Sequence, residues 1–220
     1  MILKNKFKLT SVALASAVVM GGLSVSTLAS ADVGYNATVS SMYLWRGQDV
    51  SNGSAISGGI DFTDKSGFYA SAWASSGVSG GTVTAESGSS NGYELDLYAG
   101  FAGKVAGVGY DISVWDIDYP QTSTDSGTEI ALGLSYGDFS FGYIDGEQDY
   151  SYTTLGFSKD KFGITYGMSD AGAGAEYSHV NLSYAATDAL SLTVSKLSDD
   201  GAGKPEEMLI SVSYSLPIGK

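Results

Sequence analysis

Residues 208–216 read MLISVSYSL, and apolar side chains alternate with serines through most of this stretch. Ile210, Val212 and Tyr214 share one parity, and the serines between them share the other. Successive side chains of a β-strand point to opposite faces, so this period of two predicts a strand with one apolar and one polar face. A strand of this kind separates a nonpolar surrounding from a polar one.

The same alternation runs along the chain from residue 35 onward and divides it into about twelve segments. Most of them have the roughly 9–11 residues that a tilted strand needs to cross a bilayer, and bacterial membrane barrels have an even number of strands. The predicted strands cover residues 35–45, 54–64, 67–76, 93–103, 107–118, 128–137, 138–145, 150–159, 161–169, 176–186, 189–198 and 207–217.

The connections between these strands alternate between short and long. Short turns are predicted at 65–66, 103–106, 137–138, 160 and 187–188, and longer loops at 46–53, 77–92, 119–127, 146–149, 170–175 and 199–206. Membrane barrels have short periplasmic turns and longer outer loops, whereas a soluble β-sandwich has no reason to sort its loops in this way. The sequence therefore predicts an all-β fold, a transmembrane antiparallel up-and-down β-barrel of about twelve strands, with both termini on the periplasmic side.

The composition fits a membrane barrel and argues against several other classes. The 220 residues carry a net charge of −13, so binding of nucleic acid or anionic lipid by simple electrostatics is not expected. Mean hydropathy is near zero, which is far too low for a helical membrane protein, but a barrel needs only every second residue to face lipid. The chain has no cysteine, so neither a lipoprotein anchor nor a disulfide is expected.

The N-terminus has the three parts of a secretory signal peptide. Three lysines precede an apolar run over residues 9–19, and Ala29-Ser30-Ala31 offers the small residues that signal peptidase recognises. The run is too short for a membrane-spanning helix. We therefore expect two parts, a cleaved signal peptide over residues 1–31 and an outer-membrane β-barrel over residues 32–220.

Aromatic residues concentrate near both ends of the predicted strands. Tyr35 and Tyr43 have the same parity on the first strand, which predicts one aromatic ring at each edge of the lipid band. The group near the short turns is Phe62, Phe68, Phe101, Tyr136, Phe139 and Phe162, and the group near the long loops is Trp45, Tyr93, Tyr119, Tyr143, Tyr150 and Tyr177. Aromatic residues favour strands in general, but that preference does not predict clustering at both ends.

Several motifs in the first half of the chain resemble those of a known family. They are YLWRG at 43–47, GGIDF at 58–62, GFYA at 67–70, WAS at 73–75, YELDLYAG at 93–100, and the stretch 110–120 that begins Tyr-Asp and ends Asp-Tyr-Pro. Together they are similar to the TorF-type porins, a proteobacterial outer-membrane protein family of unknown function. The resemblance is specific over residues 35–120 and implies an outer-membrane barrel with a proposed pore role, but it implies no substrate.

The C-terminus departs from the usual pattern of outer-membrane barrels, which end on an aromatic residue that the barrel assembly machinery recognises. This chain ends SLPIGK over residues 215–220. Pro217 should end the last strand, and Tyr214 stands in for the terminal aromatic residue. The barrel assembly machinery is an expected partner, together with outer-membrane lipid and lipopolysaccharide.

Residues that could carry catalysis or bind a metal are few. His179, Asn181 and Ser183 share one strand face, but neighbours along one face lie about 6.5–7 Å apart, too far for a nucleophile and its base. The acidic loop over residues 145–149 has alternating oxygen ligands but lacks the length and the closing glutamate of an EF-hand. We expect no enzyme, no cofactor and no metal site, while weak divalent bridging to lipopolysaccharide phosphates stays open.

The ionisable residues on the polar parity are the most informative ones. The predicted lumen-lining residues are Arg46, at the outer end of the first strand, and the acids Asp61, Glu94, Asp96, Asp111 and Glu129. Charged groups inside a barrel mark either a solute path or salt bridges that brace the wall, and a narrow lumen filled with side chains favours the second. Five acids against one base favour a wet, negatively biased interior.

These features predict an outer-membrane porin-like channel of a Gram-negative bacterium, for passive diffusion of small hydrophilic solutes and with a preference for cations. A non-conducting structural or surface-interaction barrel is the alternative, and an outer-membrane hydrolase is the third candidate. The expected occupants of the lumen are small solutes or cations, and no nucleic acid is expected as a partner.

Overall fold

The computed structural model describes residues 32–51, 53–78, 92–120, 126–172, 176–199 and 208–218. The predicted signal peptide over residues 1–31 lies outside these residues, as do most of the predicted loops 77–92 and 199–206. Every regular element within them is a β-strand. None of the described residues forms a helix long and apolar enough to cross a membrane.

The described residues form fourteen strands. They are β1 (Asp32–Ser40), β2 (Leu44–Trp45), β3 (Gln48–Asp49), β4 (Ala55–Thr63), β5 (Phe68–Val78), β6 (Gly92–Val105), β7 (Val108–Asp118), β8 (Gly127–Tyr136), β9 (Phe139–Gly146), β10 (Ser151–Lys159), β11 (Phe162–Asp170), β12 (Tyr177–Ala185), β13 (Leu190–Asp199) and β14 (Met208–Ser215). Every predicted strand after the first is confirmed, with ends that agree to within two residues.

Twelve of these strands close into one antiparallel barrel, in which neighbours along the chain are also neighbours in the wall. β1 closes the ring, because Thr38 lies opposite Ser57 of β4 and also opposite Ser215 of β14. β2 and β3 stand apart and form a separate two-stranded hairpin. The predicted up-and-down barrel is therefore confirmed.

The prediction for the first strand, residues 35–45, is wrong in its second half. β1 ends at Ser40, where the chain leaves the barrel wall. Tyr35 faces outward as predicted and is 60% exposed, but Tyr43 turns inward and is buried. The reason is a polar partner inside the barrel, since the Tyr43 hydroxyl donates a hydrogen bond to Glu94.

The outer surface of the barrel is apolar. On most strands, large hydrophobic side chains alternate with inward-facing residues and remain open, and Ile112, Ile130 and Leu182 are each more than half exposed. A soluble protein rarely exposes a continuous apolar surface of this extent. A bilayer covers such a surface with hydrocarbon, so the barrel spans a membrane with its strands.

Aromatic side chains form a girdle at the end of the barrel where the turns are short. Its exposed members are Phe62, Phe101, Tyr136, Phe139 and Phe162. At the end with the long loops, Tyr93 and Tyr143 are exposed, but the other predicted members are half-buried or buried: Trp45, Tyr119, Tyr150 and Tyr177. The prediction of a second girdle is therefore mostly wrong, because these rings belong to, or pack around, a segment inside the barrel.

Tight turns join the strands at the short-turn end. Ala106 and Gly107, between β6 and β7, both have positive φ, 51° and 88°, as in the type I′ turn that matches the twist of a hairpin. Between β4 and β5, Asp64 Oδ1 accepts hydrogen bonds from the amide and the hydroxyl of Ser66, at 2.7 and 2.6 Å. These bonds lower the pKa of Asp64. Such turns hold neighbouring strands in register, so that their polar side chains point inward together.

Candidate functional site: a hairpin inside the barrel

The hairpin formed by β2 and β3 lies inside the barrel. Its turn residues, Arg46 and Gly47, have φ values of 47° and 83°, and positive φ is uncommon for a residue with a side chain. A Cβ added to Gly47 would lie 2.4 Å from Cγ of His179, on the inner face of β12. The tip of the hairpin therefore lies directly against the barrel wall, and only glycine fits there.

The Arg46 side chain attaches the tip of the hairpin to the part of the barrel wall that lies across the lumen from the base of the hairpin. Its Nη2 donates to Glu129 Oε2 at 2.6 Å, and Nη1 donates to the Tyr150 hydroxyl. The guanidinium also lies over the rings of Trp45, Tyr150 and Tyr152, with Cζ at 4.1, 4.9 and 5.1 Å from their centroids. Removing both charges from water is costly, and these hydrogen bonds and ring faces offset that cost.

Two backbone contacts hold the same turn. The Tyr177 hydroxyl of β12 donates to the Arg46 carbonyl at 3.2 Å, and the Ser195 hydroxyl of β13 donates to the Gly47 carbonyl at 3.1 Å. In the order of strands around the barrel, β10 lies opposite the seam between β1 and β4. Because Arg46 reaches the β10 side chain Tyr152, the hairpin crosses the lumen.

The base of the hairpin is tied to the nearer wall. The Tyr43 hydroxyl donates to Glu94 Oε1 of β6 at 3.1 Å, and the Tyr43 ring packs on Trp73 of β5 with centroids 5.8 Å apart. The Tyr43 amide donates to Ser51 Oγ at 2.7 Å, which joins the two arms of the segment. The base and the tip of the hairpin are therefore both bonded to the interior of the barrel.

Arg46 therefore occupies a different place from the predicted one at the outer end of the first strand. The chain leaves the wall after Ser40, and Arg46 lies at the tip of the inserted hairpin. In that position it pairs with Glu129 rather than with the acids of β6. The loop can enter the barrel because Tyr177 and Ser195 donate hydrogen bonds to the backbone carbonyls at its tip. Without such donors, the buried carbonyls would be left without partners.

The acidic residues Asp61 and Asp111 are on the inner face and have neutral hydrogen-bond donors. Asp61 accepts from Asn36 Nδ2 at 3.0 Å and from Ser71 Oγ at 2.8 Å. Asp111 accepts from the Tyr69 hydroxyl at 2.7 Å. Both carboxylates are half-buried, so part of each stays accessible from the lumen while their neighbours hold them in place.

Glu94 and Asp96 lie beside the base of the hairpin and are buried, with 2% and 3% of their surface exposed. Glu94 accepts the hydrogen bond from Tyr43. Oδ1 of Asp96 is buried and has no hydrogen-bond partner among the described residues. The structure thus places all six predicted residues inside the barrel. It brings Arg46 and Glu129 into contact and leaves Glu94 and Asp96 with no ion-pair partner in the described part of the chain.

The wall under the hairpin tip is closed to water, whereas the short-turn mouth is open. His179 and Ser195 are 1% and 0% exposed. Ser135 and Ser140, inward-facing residues next to the short turn between β8 and β9, are exposed. The hairpin is therefore a constriction in the half of the barrel that carries the long loops, and a water-accessible vestibule lies on the other side of it.

His179 has both ring nitrogens engaged. Nδ1 lies 3.1 Å from Asn181 Oδ1, and Nε2 lies 2.7 Å from the Tyr152 hydroxyl. An amide oxygen only accepts hydrogen bonds, so Nδ1 carries the proton and Nε2 accepts from Tyr152. Gly167 makes room for this bond across β11, because a Cβ there would lie 2.2 Å from Nε2. The hydroxyl at Nε2 is therefore that of the buried Tyr152 and not that of Ser183, the nucleophile of the Ser-His-Asn set.

Sequence reasoning did not identify several residues that hold the hairpin. They are Tyr43, Gly47, Tyr150, Tyr152, Tyr177 and Ser195. The one usable signal was the Arg-Gly pair directly after Tyr-Leu-Trp, since Gly favours a tight turn. Nothing local indicates that this turn points inward. The described residues contain no cluster of three or more His, Cys, Asp or Glu side chains that could hold a metal ion.

Three solved structures resemble the chain in shape at low sequence identity. The KdgM porin in complex with disordered oligogalacturonate has 10% identity and a TM-score of 0.48, over 84% of this chain and 96% of that one. The outer membrane phospholipase A from Escherichia coli has 12% identity and a TM-score of 0.46, over 84% and 91%. A mutant of the Rh. blastica porin has 11% identity and a TM-score of 0.38, over 84% and 100%. At these values no residue role or activity is transferred to this chain.

No protein with a curated description matches the chain. The more specific resemblance to the TorF-type porins, drawn from motifs such as YLWRG at 43–47, stays a prediction. A family model does match residues 25–195, which are most of the 220 residues. The chain belongs to that family, which is described as bacterial protein of unknown function (Gcw_chp).

Proposed function

We propose that this protein is a porin-like channel in the outer membrane of a Gram-negative bacterium, through which small hydrophilic solutes diffuse passively. The observation that carries the proposal is the charge inside the closed barrel, where the described wall strands hold five inward carboxylates and the inserted hairpin adds one arginine. Ionisable groups within a membrane span are costly, and they persist where they line a water-filled path or pair with each other. Here only one of the five acids has a basic partner in the described part of the chain.

The charge balance of the lumen supports a preference for cations. Glu129 is neutralised by Arg46, whereas the bonds of Asp61, Asp111 and Glu94 come from neutral donors. Neutral donors orient a carboxylate without cancelling its charge. Rings of carboxylates attract cations and repel anions in channels, so the interior favours cation passage.

The hairpin is the proposed constriction of this channel. Its tip touches the barrel wall and excludes water there. Solutes therefore pass beside the hairpin, or after the hairpin has moved. If the hairpin withdraws, Arg46 leaves with it and Glu129 loses its counter-charge. The open state would then be more negative than the closed one, and its cation preference would be stronger.

Single-channel recording in planar bilayers tests this proposal. The expected result is a small conductance, with a reversal potential in a salt gradient that has the sign of cation preference. Anion preference in the unmodified protein would contradict the electrostatic argument. A complete lack of conductance would favour the alternative below.

A non-conducting structural or surface-interaction barrel is the second candidate, and the buried hairpin favours it. His179 and Ser195 under the tip are almost fully buried. Burial of this kind is expected for a hairpin that plugs the barrel as well as for one that only narrows it. The two candidates separate when residues 44–49 are replaced by a short glycine turn. A channel would then have a higher conductance, whereas a structural barrel whose lumen is filled elsewhere would still not conduct. A hydrolase has the least support, because His179 is almost fully buried and its Nε2 is bonded to the Tyr152 hydroxyl rather than to Ser183.

A further inference from the structure

Asp96 differs from the other inward acids in its hydrogen bonding. Each carboxylate oxygen of Asp61 has a donor, Ser71 for Oδ1 and Asn36 for Oδ2. Asp96 is more deeply buried, at 3% exposure, yet its Oδ1 has no partner among the described residues. A buried carboxylate oxygen without a partner costs free energy, so such an atom indicates a missing donor or cation.

A second buried acid on the same strand, Glu94, adds another negative charge beside Asp96. Glu94 precedes Asp96 by two positions on β6, so both side chains point to the inner face. Glu94 has one neutral donor, the Tyr43 hydroxyl. The cation of the hairpin, Arg46, is bonded to Glu129. The two carboxyl groups are within hydrogen-bonding reach of each other, and buried carboxylates in such contact repel each other unless a proton or a metal cation lies between them.

We propose that Glu94 and Asp96 bind a divalent cation of the Mg²⁺ or Ca²⁺ class. Hard divalent cations take oxygen ligands, and two carboxylates match their charge. The described residues offer two carboxylates here and no larger cluster, so the cation keeps part of its water shell, as Mg²⁺ usually does in proteins. This inference deepens the proposed function and rests on it only in requiring that ions can enter the lumen.

The site would lie at the base of the hairpin. Tyr43, which bonds Glu94, precedes the first strand of the hairpin by one residue. A cation that holds Glu94 and Asp96 together would keep the acceptor of the Tyr43 hydroxyl in place. The bound ion therefore stabilises the inserted hairpin, and ion removal loosens it.

Terbium luminescence tests the site directly, because Tb³⁺ has oxygen-ligand preferences like those of Ca²⁺ and is sensitised by nearby aromatic rings. Trp73 lies opposite Asp96 in the β5–β6 register, and its ring packs on Tyr43. With the full barrel in detergent, we expect saturable Tb³⁺ emission that excess Ca²⁺ or Mg²⁺ displaces. Glu94→Gln and Asp96→Asn should each weaken Tb³⁺ binding by about tenfold or more, since each removes one of the two charged ligands.

Asp61→Asn is the matched control, because Asp61 is also an inward acid but has donors on both oxygens. Its Tb³⁺ binding should be unchanged. Equal binding in all variants, or no saturable emission at all, would overturn the site. So would an infrared band of a protonated carboxylic acid that disappears in Asp96→Asn, because a proton would then replace the cation. Folding of each variant is checked by heat-modifiable gel mobility, and Glu94→Gln decides the question if Asp96→Asn does not fold.

The binding measurement is independent of ion flow, so the two proposals can fail separately. A lack of saturable Tb³⁺ binding in the unmodified protein, with conductance present, would overturn only the cation site. A saturable Tb³⁺ site in a barrel that never conducts would overturn only the channel.

Discussion

Arg46 and Glu129 are 83 residues apart in the sequence, and their side chains meet at 2.6 Å inside the barrel. One lies at the tip of a hairpin that crosses the lumen, and the other lies on the inner face of β8. The pair therefore does two things at once. It holds the hairpin inserted, and it removes one acid from the charge of the lumen.

The Arg46→Gln variant should raise the conductance and strengthen the cation preference. Removing one partner of a buried pair costs about 3–5 kcal/mol, and we expect the low end because Glu129 keeps some contact with water. The released hairpin opens the lumen, and Glu129 adds its charge to it. Single-channel currents and reversal potentials in a salt gradient measure both effects.

Lys159→Gln is the control for that variant. Lys159 pairs with Asp138 at 3.2 Å, but both side chains are largely exposed, and such pairs contribute about 0–1 kcal/mol. Its currents should match those of the unmodified protein. Similar currents in both variants would mean that the Arg46–Glu129 pair does not hold the hairpin.

In solutions free of divalent cations, so that the cation site proposed on β6 is empty, the double variant Glu94→Gln/Asp96→Asn should weaken the cation preference. It removes two of the four inward carboxylates that have no ion-pair partner in the described chain, so the interior attracts cations less strongly. The reversal potential should move toward zero, while Asp138→Asn at the short-turn end should leave it unchanged. An unchanged selectivity in the double variant would place the ion path away from β6.

Gly47→Ala should expel the hairpin. The added Cβ would lie 2.4 Å from Cγ of the buried His179, and Gly47 also has φ of 83°. Gly137→Ala is matched for positive φ, at 60°, but nothing lies within 4 Å of its Cβ. We expect higher conductance for the first variant only. If both variants behave alike, backbone strain and not contact with the wall explains the result.

The orientation of the barrel is tested with epitope tags. Alternating loop lengths predict that residues 77–92 and 199–206 face the cell surface and that residues 103–106 face the periplasm. Antibodies should label the first two tags on intact cells and the third only after permeabilisation. Labelling of a tag at 103–106 on intact cells would invert the topology.

Processing at the N-terminus is tested by mass. The Ala29-Ser30-Ala31 motif predicts a mature chain that begins at Asp32. Intact-mass analysis of outer-membrane fractions should find this species. Recovery of the uncut chain in the inner membrane would contradict the targeting argument.

The sequence by itself determined the barrel. Alternation such as that of Ile210, Val212 and Tyr214 is a local property, because each residue has only two faces to choose between and one of them meets hydrocarbon. The same argument assigned Glu94 and Asp96 to the inner face, where the structure has them. It also explains why the later strand ends agree so closely with those predicted.

Only the tertiary structure decided the path of the first loop. Tyr43 continues the parity of Tyr35, so pattern alone assigned it to the lipid face, yet it lies inside and bonds Glu94. Arg46 and Gly47 are held by residues of β8, β12 and β13, all far away in the sequence. Where a loop goes depends on which distant groups can satisfy its buried backbone and charge. Those groups become neighbours only when the barrel has closed.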